Sequence, residues 1–269
     1  VAKIAQERTS TTGQFDWHGD GYAWELCVAP AAETEGIVVN VANGLVDLYN
    51  SWGVRRAVGP SMYMVQKQAY RNAPAEVRRL GCMPSFNLYA QPGRPQGLPG
   101  QLRTTGCHIH VSSPEIDKEN YARIIKWADL IVGATWSYLS SETAFDERMR
   151  RKYYGKAGEY RVRFYDENAT LFGVEYRTLP GAVLHHPEYL ELMLHLMAEA
   201  AIRAKEGEPD DKYLLPAIKT INGADRSGTL LRHIYLADDR PLMEHIEHVR
   251  KIKARSVDIE AWKRFANIA

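Results

Sequence analysis

The sequence predicts an α+β fold: a mostly antiparallel sheet with one apolar face covered by helices and the opposite face carrying ionisable groups. Three observations predict it. Four short segments alternate apolar and polar residues with a period of two. Three longer segments repeat apolar residues at intervals of three and four. No run approaches the roughly 18 apolar residues that a membrane span requires.

The first strand is Ala23–Val28, with Trp24, Leu26 and Val28 on one face and Glu25 and Cys27 on the other. Its lead-in, Asp16-Trp17-His18-Gly19-Asp20-Gly21, is polar and glycine-containing. Asp20-Gly21 reads either as the turn into the strand or as a source of oxygen ligands, and Asp16 as part of the turn. A helix follows over Thr34–Trp52, where Val38, Val41, Leu45, Leu48 and Trp52 make an apolar stripe. Gln91–Gly100 is a Pro/Gly loop, read either as a binding lid or as a surface excursion between strands.

Cys107–Val111 alternates again, placing Ile109 and Val111 opposite His108 and His110. Residues i and i+2 of a strand point the same way about 7 Å apart. The histidine pair therefore suits ligands of neighbouring metals, or one ligand and one substrate contact. Gly106 just before it allows a close approach. A second helix is expected over Lys118–Leu139, through Tyr121, Ile124, Ile125, Ala128, Ile131, Thr135 and Tyr138.

The run Arg148–Arg163 is basic, with Gly155 and Gly158 in its middle. It reads as a solvated charge run or as a phosphate-holding loop that feeds Arg161 into a site. Tyr160–Tyr165 sets Tyr160, Val162 and Phe164 against Arg161 and Arg163, and Phe172–Leu179 sets Val174 and Tyr176 against Glu175 and Arg177. Glu175 and Arg177 are either a cross-strand ion pair or a cation ligand beside a phosphate clamp. The third helix starts at Pro187 and carries Leu190, Met193, Leu194, Met197, Ala200 and Ala201 until Gly207. His185 and His186 before it read as packing or capping residues. Two shorter helices are expected near Pro241–Lys253 and Asp258–Asn267, with His233, His245 and His248 on exposed faces.

Composition narrows the function classes. The 34 Lys and Arg balance 33 Asp and Glu, which argues against an extended nucleic-acid surface. A chain of 269 residues buries a large core without disulfides or metals. Cys27, Cys82 and Cys107 are odd in number and form no CxxC pair, so a reducing, cytoplasmic setting is expected. Val1–Gln14 shows no signal-peptide pattern. There is no P-loop, no GxGxxG after a strand and no GxSxG elbow.

Five segments together resemble a known family. Thr104–Ser112 (TTGCHIHVS) is similar to the Gly-x-His-x-His strand of glutamine synthetase, and Gly173–Pro180 (GVEYRTLP) to the Glu-x-Arg strand of that superfamily. Gly81–Tyr89, Arg150–Arg161 and Trp24–Pro30 resemble further segments of the phage-type carboxylate–amine ligases, an amidoligase branch of the glutamine synthetase and glutamate–cysteine ligase superfamily. The resemblance spans residues 16–205 within a single catalytic domain over 1–269. Residues 207–269 are a helical extension with no match.

The resemblance implies a curved sheet, with helices on its convex face and a concave face that binds ATP and Mg²⁺ or Mn²⁺. It implies amide formation through an acyl phosphate, from a small-molecule or peptide carboxylate and an amine. It assigns Glu25, His108 and Glu175 to metal, His110 to substrate or nucleotide, and Arg177 to the transferring phosphoryl group. Arg161, with Arg151 or Lys156, would hold nucleotide phosphates. It places the protein in the cytoplasm of a host cell if phage-encoded. Ala23 stands where glutamine synthetase has a second glutamate, so Asp20 is the candidate substitute. A guanidino-kinase-like phosphotransferase and a non-catalytic phage accessory protein are the alternatives on this fold. A zinc hydrolase using His108 and His110 is a third.

Overall fold

The structure is a computed structural model that describes residues 8–9, 13–52, 61–78, 85–90, 100–140, 144–165, 168, 171–223 and 229–268. Its first elements are β1 (Arg8–Thr9), β2 (Phe15–Asp20), β3 (Ala23–Val28), α1 (Thr34–Trp52), β4 (Met62–Met64), α2 (Lys67–Asn72) and α3 (Ala75–Arg78). Then come β5 (Phe86–Asn87), β6 (Leu102–Thr104), β7 (Ile109–Ser112), α4 (Tyr121–Ala128), α5 (Ala134–Leu139), α6 (Ala144–Arg150), β8 (Glu159–Phe164) and β9 (Phe172–Tyr176). The chain closes with α7 (Pro187–Glu206), α8 (Asp211–Ile221), α9 (Thr229–Asp238), α10 (Arg240–Arg250) and α11 (Ile259–Phe265). Most of the Gln91–Gly100 loop, Cys82 and the Gly81–Pro84 part of the segment 81–89 lie outside the described residues.

The fold is α+β with antiparallel strand pairing, as expected, but the strands do not form one sheet. Among the described residues they form three, in the orders β1-β2-β3, β4-β6 and β5-β8-β9-β7. Three of the four alternating segments fall side by side in the third sheet. The fourth, β3, is half of a separate hairpin with β2. The period of two fixed which face each residue occupies; it carries no information on which strands share a ladder.

One helical layer underlies the first and third sheets. Helix α1 packs on β2 and β3, α4 on β9, and α7 on β7, while α7 itself lies against both α1 and α4. Trp17 on the inner face of β2 donates from its indole Nε1 to the Gly44 carbonyl of α1 at 3.0 Å. The apolar faces of both sheets thus enter one continuous core, which includes Trp17, Val38, Ile125, Val174, Tyr176 and Met193. Their polar faces are left on the far side from the helices.

The expected helix over 118–139 is real but is not α throughout. Between α4 and α5, Asp129–Gly133 form a π turn, in which the Ala134 N–H reaches back to the Asp129 carbonyl. Helix α7 begins with His186 as its cap, accepting from the Glu188 N–H, and with Pro187 in the first turn. The C-terminal region is no appendage: Leu231, Tyr235, Met243, Ile246 and Trp262 belong to the same core. Trp262 donates to the Leu184 carbonyl at 3.1 Å, and the Asp258 N–H to that of His185 at 2.9 Å. Helices α8 and α9 are additional to the expected ones, and α8 contains Pro216 in its interior. Among the described residues no helix is long and apolar enough to cross a membrane.

Candidate functional site

Register builds the site. In the third sheet His110 lies opposite Glu175, and Glu175 opposite Arg161. The two neighbouring rows, Ile109–Tyr176–Tyr160 and Val111–Val174–Val162, point the other way, into the core. One row further, His108 and Arg177 continue the polar face just beyond the strand ends. There the ladder persists, with the Cys107 N–H on the Leu179 carbonyl at 3.0 Å and the Arg177 N–H on the Glu159 carbonyl at 3.0 Å.

These side chains form one connected group. Arg177 is 1% exposed and Glu175 4%. The Arg177 Nη1 donates to Glu175 Oε1 and lies 3.3 Å from His108 Nδ1, while its Nε donates to Ser85 Oγ at 2.8 Å. His108 Nδ1 and Glu175 Oε1, only 3.1 Å apart, thus face the same guanidinium nitrogen. His108 Nδ1 thus meets a guanidinium donor and a carboxylate acceptor at once, while Nε2 pairs with the Tyr154 hydroxyl. Burial first, and then the Arg177 guanidinium, lower the His108 pKa to about 3; the Glu25 carboxylate pulls the other way. His108 is therefore a neutral nitrogen donor at any physiological pH.

Arg161 Nη1 stands 4.0 Å from Glu175 Oε2. Arg150, fully buried at the end of α6, donates from Nη2 to the Thr178 carbonyl at 2.6 Å and to Glu147 at 3.2 Å. Both Arg150 and Arg177 lie over the Tyr154 ring, at 6.0 and 5.4 Å from its centroid. At the exposed edge of this face, His110 Nδ1 pairs with the Tyr165 hydroxyl at 2.7 Å, and Arg163 lies over the Tyr165 ring. Desolvation of the ring, then His108 and nearby guanidiniums, lower the His110 pKa to about 4.

Glu25 reaches the same region from the first sheet. The two-residue turn at Gly21-Tyr22 pairs Asp20 with Ala23, which sets His18 opposite Glu25 and Asp16 opposite Cys27. His18 Nε2 lies 3.0 Å from Glu25 Oε2. Glu25 acts electrostatically on His108, and Arg163 on Cys27, so the polar faces of the two sheets adjoin.

His108, Glu175, Arg177 and Arg161 are thus brought together with His110 beside them in register, whereas the Glu25 carboxylate groups with His18 and Cys27 on the adjoining sheet and not with His108 and Glu175; two further expectations need correction. Arg151 is not among them: it is buried, with its guanidinium taken by Glu147, Ser137 Oγ and the Ile221 carbonyl. The residue before it, Arg150, takes the place beside Tyr154. Nor is the glycine turn 155–158 a phosphate cradle. The N–H groups of Gly155 and Lys156 are taken by the Glu159 carboxylate at 3.0 and 3.2 Å, and that of Ala157 by Asn222 Oδ1 at 3.1 Å. Lys156 itself is exposed. The turn has a different purpose. Gly155, at φ +76°, leaves the space that Arg150 fills, where a Cβ would collide with the guanidinium.

Sequence reasoning missed Arg150, Tyr154, Ser85 and the part played by His18. Only His18 carried a readable signal, since counting back from a two-residue turn at Gly21-Tyr22 pairs it with Glu25. Glu175 and the neutral His108 imidazole stand among guanidiniums, groups that could take an anion together with a divalent cation. Arg161 Nε and Nη2 and Arg177 Nη2 are buried with no hydrogen-bond partner. A buried donor left unmade costs about 1–3 kcal/mol, which an anion would offset. No family model, no curated protein and no solved structure matches this chain.

Proposed function

We propose that the chain is an ATP- and Mg²⁺-dependent carboxylate–amine ligase. One observation carries the reading: the Glu175 carboxylate, the neutral His108 imidazole and the Arg161 and Arg177 guanidiniums share one polar face, and buried nitrogens of Arg161 and Arg177 keep unused hydrogen-bonding capacity. The five-segment resemblance agrees with it. ATP as co-substrate would supply the phosphoryl group that activates a carboxylate, with Mg²⁺ held by Glu25, Glu175 and His108.

The chain's own residues have defined tasks in this reading. Ser85 and Glu175 fix the plane of the Arg177 guanidinium, so its free Nη2 is oriented before an oxygen arrives. Preorganised donors of this kind stabilise developing charge without reorganising in the reaction. Tyr154 pairs with His108 Nε2 and fixes the ring, leaving Nδ1 turned toward Glu175 and Arg177. Arg161 offers Nε and Nη2 to a phosphate, and His110 at the exposed edge suits a substrate contact.

The test is phosphate release from Mg-ATP with a panel of amino acids and short peptides as carboxylates and with ammonia or primary amines. A ligase needs both co-substrates. A kinase would accumulate a phosphorylated product and release no phosphate. Glu175→Gln and Arg177→Lys should each remove turnover, the latter because a point charge lacks the planar fork. Absence of equilibrium ATP binding at millimolar concentration, with and without Mg²⁺, would overturn the reading in favour of a non-catalytic binding protein.

A further inference from the structure

The outer face of the first sheet carries a second group of ligating atoms, of which the ligase reading uses Glu25 alone. His18 on β2 and Glu25 and Cys27 on β3 bring a ring nitrogen, a carboxylate oxygen and a thiol sulfur within 4.8 Å of one another. The arrangement follows from pairing alone. The hairpin register sets His18 directly opposite Glu25, and Cys27 lies two residues along the same strand on the same face. Asp16, opposite Cys27, puts a further carboxylate beside the sulfur.

From this geometry we infer that His18, Glu25 and Cys27 form a site for a thiophilic divalent ion of the zinc class. The chemistry of the set selects the ion: nitrogen, oxygen and sulfur donors suit zinc and cobalt, whereas magnesium takes oxygen ligands and binds thiols poorly. Zn–S and Zn–N bonds of about 2.3 and 2.0–2.1 Å make tetrahedral edges of roughly 3.3–3.8 Å. The His18–Glu25 separation of 3.0 Å is close to such an edge. The Cys27 sulfur lies within 4.8 Å of both ligand atoms, and Cys27 is exposed. Three protein ligands leave a fourth position for Asp16 or water. The site stands apart from the ligase reading, since it is read without nucleotide. If both hold, zinc and magnesium compete for Glu25.

Co²⁺ titration of the metal-stripped full chain, under a non-thiol reductant, tests it. A near-ultraviolet thiolate-to-cobalt band should saturate at one equivalent, disappear on adding one equivalent of Zn²⁺, and persist in excess Mg²⁺. Cys27→Ser should abolish the band, His18→Gln should weaken binding at least tenfold, and Cys107→Ala should change neither. On the unaltered chain, Zn²⁺ should protect Cys27 from iodoacetamide, as mapped by peptide mass spectrometry, which removes any dependence on variant folding. No band, a band that survives Cys27→Ser, or unchanged alkylation of Cys27 would each overturn the proposal. None of these outcomes depends on ATP turnover.

Discussion

Glu25 and Glu175 lie on the polar faces of two sheets that stand on one helical layer, yet they live under opposite conditions. Glu25 is partly exposed and has His18 beside it. Glu175 is buried, with Arg177, Arg161 and His108 around it. The contrast follows from neighbouring strands. The hairpin offers β3 a single cross-strand partner, while β9 lies between β8 and β7 and collects a side chain from each. A central strand therefore builds a preorganised cluster, and the hairpin builds one that an arriving ion can rearrange.

The largest effect expected from this contrast is on stability. Arg177→Met should cost about 3–5 kcal/mol in denaturant unfolding, because it strips a buried carboxylate of its closest counter-charge. Glu25→Gln should stay within about 0.5 kcal/mol, as surface changes usually do. Equal costs would break the comparison. Next comes Gly155→Ala, which should cost about 1–3 kcal/mol through its positive φ and the displaced Arg150. An unchanged midpoint would show that Arg150 does not need the space.

A smaller effect is expected in acid. The His108 pKa falls from its usual 6.5 to about 3, so between those values the unfolded chain binds more protons than the folded one. This contribution is intact above pH 6.5 and is lost as pH falls toward 3. Asp129 has the opposite sign: burial raises its pKa from 3.8 to about 7, despite hydrogen bonds from Tyr89 and Tyr176. Its stabilisation is present below about pH 4 and fades as pH rises through 7. His108→Gln should therefore remove part of the loss between pH 6.5 and 3 in unfolding curves. An identical acid limb in the variant would contradict it. The smallest effect is His18→Ala, where an exposed pair is worth about 0–1 kcal/mol. A larger loss in a melt would mean that the open cluster is structural after all.

Much of the candidate site was legible because strand alternation is a strict geometric rule. It puts His108 with His110, Glu175 with Arg177, and Glu25 with Cys27 from the sequence alone. Helix ends are less forgiving. One residue turns a helix by about 100°, so the expectation of Arg151 missed the site by a single position and Arg150 took its place. Tyr154 and Ser85 lie in irregular segments with no period to read. Strand neighbours were not legible either, since the sheet orders depend on pairings far apart in sequence, such as β7 with β9. The glycine turn misled because its charges suggested phosphate, whereas its amides close on Glu159 within the same segment.

The widened turn at Asp129–Gly133 amounts to one surplus amino acid threaded into an otherwise regular rod. Excising any one of Leu130–Gly133 would let the rod rewind, swinging Asp129 by roughly a quarter of a revolution relative to α5. Its carboxyl would leave the Tyr89 and Tyr176 hydroxyls, which it meets at 2.8 and 2.9 Å, and the Tyr176 anchor under the central strand would go with it. A codon deletion here would thus act at a distance on the strand bearing Glu175, without touching any residue of the polar face.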